Sequence, residues 1–188
     1  MNIIKFIEEE GDNYSKRRMK TKRLILRNLE KRDLIDLVEG LNNLNVSRTF
    51  GVVPHPYTEV NATKWIEKCS KSKDSYQFGI EYENKLVGVI GLNHIDYFNE
   101  GASVSYWINE KYWNKGIASE AIKLVIEFAF NELKLRRLYL FAYCSNESSN
   151  SFAKKMGFKL EGTLRQSHKS KATGEIFSAN AYGLLENE

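Results

Sequence analysis

Very little in this sequence would interrupt a fold, cross a membrane or tie the chain covalently. The 188 residues include only two prolines and two cysteines. So few prolines, beside an aromatic content of 12%, argue against disorder over most of the chain. Cys69 and Cys144 make no metal-ligand spacing. No metal is expected, and the pair read as free thiols of a reducing, cytoplasmic compartment. No apolar run approaches the length of a membrane span. Met1 to Glu10 carry one lysine, a short apolar patch and three glutamates, which is not the make-up of a signal peptide. Internal repeats and low-complexity segments are absent as well.

What is present fits one globular unit. A hydrophobic fraction of 42% and a charged fraction of 28% are ordinary, and the length suffices for a substantial core. The net charge of +4 owes much to Lys16, Arg17, Arg18, Lys20, Lys22 and Arg23. Such a run reads as a solvated arm, and direct nucleic-acid contact is not expected. Residues 1–20 read as an extension and residues 21–188 as a single domain.

The patterning predicts an α/β chain. Arg23 to Arg27 is a short β-like run. Asn28 is placed to cap a helix with Leu34, Leu37, Val38 and Leu41 on one face. Residues 45–57 read as a loop, and Glu59 to Lys71 as a second helix. A meander follows, with strands at Tyr76–Tyr82, Leu86–Ile95 and Ala102–Asn109. The helix after residue 116 is apolar over a wide stripe: Ile117, Ala121, Leu124, Val125 and Phe128, broadened by Ile122, Ile126 and Ala129. Arg137 to Tyr143 reads as a central strand buried on both faces. A short helix at Ser148–Met156 ends at Gly157, and strands at Phe158–Arg165 and Ile176–Leu185 complete a mixed, mostly antiparallel sheet.

Between the third meander strand and the apolar helix lies Tyr112-Trp113-Asn114-Lys115-Gly116-Ile117-Ala118-Ser119-Glu120-Ala121. A glycine with small neighbours at a strand-to-helix junction leaves backbone N–H groups uncovered at the positive end of a helix dipole. That suits a phosphate or pyrophosphate. A nucleotide P-loop is excluded, because Gly116 is not followed by the Lys-Ser/Thr pair.

With this context the chain resembles the GNAT superfamily of acetyl-CoA-dependent N-acetyltransferases, and within it the ribosomal-protein (Rim-type) branch. Four segments carry the likeness, in order: Thr21 to Arg27; Tyr106-Trp107-Ile108 with residues 112–121; Asn146 to Ser151 with Lys155-Met156-Gly157-Phe158; and Leu160-Glu161-Gly162-Thr163-Leu164-Arg165. The resemblance implies a sheet whose two central strands splay in a V, flanked by helices. The pantetheine arm would lie in the V and bond backbone near Tyr106, Trp107 and Ile108.

The resemblance also implies roles for particular residues. Lys115, Gly116, Ile117, Ala118 and Ser119 would bind the pyrophosphate through backbone N–H groups, with Trp113 and Asn114 in the same cofactor-binding stretch. Trp113 stands where the wider superfamily has Gln or Arg. Asn146 would hydrogen-bond the pantetheine or orient the motif, and Asn150, one turn on, would reach the same channel; a helix cap or turn is the plainer role for Asn146, and both can hold at once. Ser149 would donate to the leaving thiolate, with Ala153 where other members carry a tyrosine; a second capping serine is the alternative. Ser103, His168 and Ser178 stand where relatives carry acidic residues, so His168 becomes the candidate base. His94, Glu161 and the aromatic strand residues are read as structural first.

The implied reaction is direct transfer from acetyl-CoA to a primary amine in a ternary complex. The branch points to a protein N-terminal α-amine, such as a ribosomal protein's, and a small-molecule amine is the alternative acceptor. A homodimer is compatible with the branch. The rival from another class is an acyl-CoA sensor or interaction module without transferase activity.

Overall fold

The computed structural model describes residues 18–188, so Lys16, Arg17 and most of the N-terminal extension lie outside the described residues. The strands are β1 (Arg18–Lys20), β2 (Leu24–Asn28), β3 (Tyr76–Tyr82), β4 (Lys85–Asp96), β5 (Gly101–Ile108), β6 (Arg137–Tyr143), β7 (Lys159–Lys169) and β8 (Ile176–Leu185). They form one sheet in the order β1-β2-β3-β4-β5-β6-β8-β7. All pairings are antiparallel except β5 with β6. The helices are α1 (Leu34–Leu41), α2 (Leu44–Ser47), α3 (Glu59–Lys71), α4 (Ile117–Glu127) and α5 (Glu147–Lys155). Among the described residues no helix is long and apolar enough to cross a membrane.

The sheet is covered on both faces because its alternating residues are apolar both ways. On one face α4 buries Ile117, Ala121, Ile122, Leu124 and Val125 against Leu26, Phe78, Ile80, Ile90, Val104 and Leu138. Each fully buried aliphatic side chain there contributes about 1.5–3 kcal/mol. A π-turn, Phe128–Glu132, extends the helix and sets Phe128 edge-on to Tyr76 and Phe78 at 5.2 and 5.6 Å. On the other face Leu37, Leu41, Val46, Ala62 and Trp107 form a second, smaller cluster with Leu86 and Val89.

A buried ionic knot ties the sheet to α1. Arg27 on β2 donates from Nε to Glu81 at 2.6 Å and from both Nη atoms to Asp33 at 2.8 Å. These partners raise the Arg27 pKa further above its ordinary value.

Four expectations need correction. Arg18–Lys20 pair with β2 and bury Met19, so the sheet begins earlier than residue 21. Asn28 ends β2 instead of capping a helix; Glu30 and Asp33 form the capping box of a 3-10 turn that leads into α1. The stretch read as a loop, residues 45–57, overlaps α2, which is capped by Asn43. β6 is not buried on both faces, since Leu138, Leu140 and Ala142 are buried while Phe141 is exposed. One of its faces opens on a cleft, a tertiary circumstance that an apolar run cannot announce.

Candidate active site

The cleft starts where two strands part. β5 and β6 pair only at Gly101↔Arg137, Ala102↔Leu138 and Ser103↔Tyr139. Beyond Ser103 they diverge, leaving one edge of β5 without a neighbour. Strand alternation decides which groups face that gap. Asn109 N–H donates to Val87 on β4, and the Trp107 carbonyl also faces β4, 2.3 Å from where a Cβ on Gly88 would sit. The backbone groups of Tyr106 and Ile108 therefore point into the gap. Trp107 cannot offer backbone there; its indole packs against Gly40 in the second core.

The mouth of the gap is the turn into α4. Asn109 caps a 3-10 turn over Glu110–Tyr112. Asn114 (φ 60°) and Gly116 (φ 74°) are both left-handed, a conformation that Asn tolerates and Gly adopts freely. Gly116 is the N-cap and brings no capping side chain. Its carbonyl accepts from Glu120 N–H at 3.0 Å, so the N–H groups of Ile117, Ala118 and Ser119 stay open. They form a donor cluster at the positive end of the dipole, fitted to a pyrophosphate. Lys115 lays its ammonium 4.8 Å from the Tyr112 ring centroid. Trp113 braces the turn. Its Nε1 donates to the Ile108 carbonyl at 2.8 Å, which latches the turn to β5 and occupies one acceptor of the open edge.

Sequence reasoning missed Arg23 and Thr21 here. Arg23 donates to the Glu120 carboxylate from Nε at 2.9 Å and Nη2 at 2.5 Å, and reaches the Lys115 carbonyl at 3.4 Å. Thr21 donates its hydroxyl to the same carboxylate. The only sequence signal was a Thr-x-Arg opening, which says nothing of a partner about a hundred residues away.

α5 supplies the opposite wall. Asn146 is its N-cap, with Oδ1 accepting from Ser149 N–H at 3.1 Å, and its Nδ2 has no partner among the described residues. Asn150 does not reach the channel. Its Nδ2 donates to the carbonyls of Tyr143 and Asn146 at 2.9 and 2.8 Å, and its Oδ1 accepts from Asn180 and Tyr182 at 2.7 and 2.8 Å. All four of its hydrogen-bonding positions are spent bracing α5 to β6 and β8. Ser149 is not the cap, and its hydroxyl accepts from Tyr106 OH at 3.3 Å. Tyr106 packs on Phe152 with ring centroids 4.5 Å apart, and burial pushes its pKa up to about 12.

The cleft extends through the V to the α1–α3 face, with a volume of about 2050 Å³. On that side Gln77 donates to Asn93 and Asn93 to Ser105, each at 2.8 Å, a polar chain not foreseen from the sequence. Ser103 lines the cleft. Ser178 accepts from Gln166 N–H at 3.1 Å through its Oγ and does not line the cleft. β7 runs to Lys169, farther than its apolar pattern, and brings His168 to the cleft. His168 Nδ1 lies 2.7 Å from Ser167 Oγ, and its ring sits beside Phe141 and Tyr143. Ser149 and His168 thus line one cleft without touching. Glu161 does not join it; it forms a two-pronged pair with Arg137 across Gly183. That pair holds the Glu161 carboxyl below the usual carboxylate range.

Comparison with known proteins agrees with this layout. Residues 23–159 match the family model described as acetyltransferase (GNAT) domain. The ribosomal-protein-serine acetyltransferase of Escherichia coli is 37% identical over 89 residues, 47% of this chain and 50% of that protein. The spermidine N(1)-acetyltransferase of Escherichia coli is 30% identical over 139 residues, 74% of each chain. The crystal structure of spermidine N-acetyltransferase from Vibrio cholerae in complex with CoA and spermine superposes with a TM-score of 0.78 at 24% identity, covering 89% of this chain and 98% of that one. An open donor cluster at a helix N-terminus beside a splayed strand is what CoA requires, and the chain belongs to the GNAT family as an acetyl-CoA-dependent N-acetyltransferase.

Proposed function

We propose that the acceptor is an α-amine, carried by a protein N-terminus of the ribosomal-protein type, and that it attacks acetyl-CoA directly in a ternary complex. The observation that carries this reading is the charge of the cleft wall. Arg48, Lys68, Lys155, Lys169 and Lys171 line it against the carboxylates Asp74, Glu110 and Glu147. Glu110 is already bonded to Asn43 and Asn45, and Asp74 to Ser72. A polyamine, with several positive charges, calls for the opposite balance. Ser103 and Ser178 also leave no carboxylate base where relatives have one. An α-amine of pKa about 8 is roughly one-tenth free base at neutral pH, whereas an alkylamine near 10.4 is less than a thousandth. The first can react with little help, the second cannot.

In this reading the N–H groups of Ile117, Ala118 and Ser119 hold the pyrophosphate. The pantetheine runs along the open edge of β5, with Asn146 Nδ2 facing it. The N–H of Tyr106 or Ile108 receives the developing oxyanion. The amine nitrogen bonds to the acetyl carbon, the carbon–sulfur bond breaks, and Ser149 donates a hydrogen bond to the departing thiolate. His168 takes up the amine proton directly or through water. Cys69 and Cys144 are both unpaired, which fits a cytoplasmic enzyme.

The spermidine relative favours a second reading, a polyamine acceptor. Thiol release from acetyl-CoA, measured with N-terminal peptides, spermidine and aminoglycosides, separates the two. The α-amine reading expects release with peptides. Release with spermidine alone overturns it. Tight acetyl-CoA binding with no release from any of these acceptors overturns it as well.

A further inference from the structure

We propose that Tyr106 is a positioning residue for thiolate departure, fixing the Ser149 hydroxyl so that its proton points at the thioester sulfur. This inference rests on the role given to Ser149 above and not on the identity of the acceptor.

The geometry comes from three constraints. First, Ser149 is held by its backbone, because its N–H is tied to Asn146 Oδ1. Its hydroxyl is therefore left over from capping and turns on one torsion. Second, Tyr106 OH donates to Ser149 Oγ at 3.3 Å. An oxygen that accepts from Tyr106 must send its own proton elsewhere, and the remaining open direction is the cleft that Tyr106 and Ser149 both line. Third, the tyrosine itself cannot swing away. It stands on β5 among the residues of the larger core and is wedged against Phe152 on α5.

Chemistry then assigns the role. A thiol has a pKa of about 8.5, while burial pushes the Tyr106 phenol up to about 12. Moving a proton from Tyr106 to the thiolate is uphill by about three orders of magnitude. Tyr106 therefore keeps its proton throughout and is not the acid. The electron pair of the broken carbon–sulfur bond stays on sulfur, stabilised by the Ser149 hydrogen bond. The amine loses its proton to water or to His168, and the thiolate takes a proton from solvent after departure. Tyr106 removes the rotational freedom of Ser149, so that no reorientation is needed as charge develops.

The test is a double-mutant cycle in the full chain, using whichever acceptor turns over: wild type, Tyr106→Phe, Ser149→Ala and the double variant. Phenylalanine keeps the ring and its contact with Phe152 and removes only the donor. The expected result is a fall in kcat of about fivefold to tenfold for Tyr106→Phe, the usual weight of one hydrogen bond. The KM for acetyl-CoA should stay within about twofold, because CoA binding does not use the phenol. The double variant should be no slower than Ser149→Ala within about twofold, because Tyr106 acts only through Ser149. Wild-type turnover in Tyr106→Phe overturns the inference while leaving the Ser149 role standing. Losses that multiply in the double variant overturn it too, by showing that Tyr106 acts independently. Wild-type turnover in Ser149→Ala removes the donor itself and overturns both.

Discussion

The guanidinium of Arg23 lies 2.5 Å from the carboxylate of Glu120, joining the turn between β1 and β2 to the first turn of α4. An acidic residue in the first turn suits the helix dipole, yet Glu120 also sets a negative charge in the same turn as the N–H groups proposed to hold the pyrophosphate. Arg23 cancels that charge, and the open N–H groups of Ile117 to Ser119 are left as the dominant field. Arg23→Ala is expected to weaken acetyl-CoA binding about fivefold. Arg23→Ala with Glu120→Gln should recover most of the loss, because the exposed carboxylate is gone. Calorimetric titration of acetyl-CoA checks this, and the effect should shrink at high salt, since the pair is partly exposed.

Gly116 is required by its backbone and not by space. A Cβ there would meet nothing nearer than Arg23 Nη2 at 3.8 Å, but the residue sits at φ 74°. Forcing an L side chain into that region costs about 1–2 kcal/mol. Gly116→Ala should lower acetyl-CoA affinity about tenfold, or lower the thermal midpoint if the turn holds its shape. Unchanged binding and stability together would show that the turn relaxes without consequence.

Much of this arrangement was legible in the sequence, and the illegible part has a common cause. The limits of α3, β3, β6 and β8 follow from local periodicity, turn residues and caps. Gly116 was legible because a strand-to-helix glycine has a local meaning. Asn150 was misplaced because its four partners come from β6, β8 and the start of α5, and side-chain saturation is invisible in a linear motif. Trp107 was misassigned for a related reason. Alternation turns its backbone to β4, and only the register of β4 against β5 reveals the parity. The contacts of Arg23, Gln77 and Asn93 were not legible, since each acquires its role from residues distant in sequence.

Ser149→Ala should lower turnover by about tenfold to a hundredfold, the range for losing one hydrogen bond to a charged group. The dissociation constant for acetyl-CoA should not change, because Ser149 acts on the sulfur only as charge appears there. Steady-state kinetics paired with equilibrium binding separates the two. A loss confined to binding would return Ser149 to a purely structural part in α5.

Asp33 is bonded to a buried guanidinium, and its carboxylate also accepts from Glu30 N–H at 2.8 Å. Asp33→Ala leaves Arg27 with Glu81 as its remaining buried carboxylate. Removing one partner of a buried ionic group costs about 3–5 kcal/mol. Denaturant unfolding should register that loss at an unchanged m-value. A cost under about 1 kcal/mol would mean that water or Glu81 takes over the guanidinium.

Arg48 and Lys171 belong to the cleft wall and have no ion-pair partner among the described residues. Lys171 N–H donates to the Gly51 carbonyl at 3.0 Å, so the β7–β8 hairpin and the segment after α2 meet at the cleft and carry these two charges to one rim. If the wall selects acceptors by charge, Arg48→Glu with Lys171→Glu reverses the preference. The double variant should gain about tenfold in kcat/KM for spermidine and lose about tenfold for a peptide with an acidic second residue, both relative to wild type at low salt. Raising the salt to about 1 M, where the screening length falls to about 3 Å, should erase most of the difference. Turnover of acetyl-CoA with an uncharged amine is the internal control, because a rim charge should leave it alone. Equal losses with all three acceptors would place these two residues in support of the fold instead of in acceptor choice.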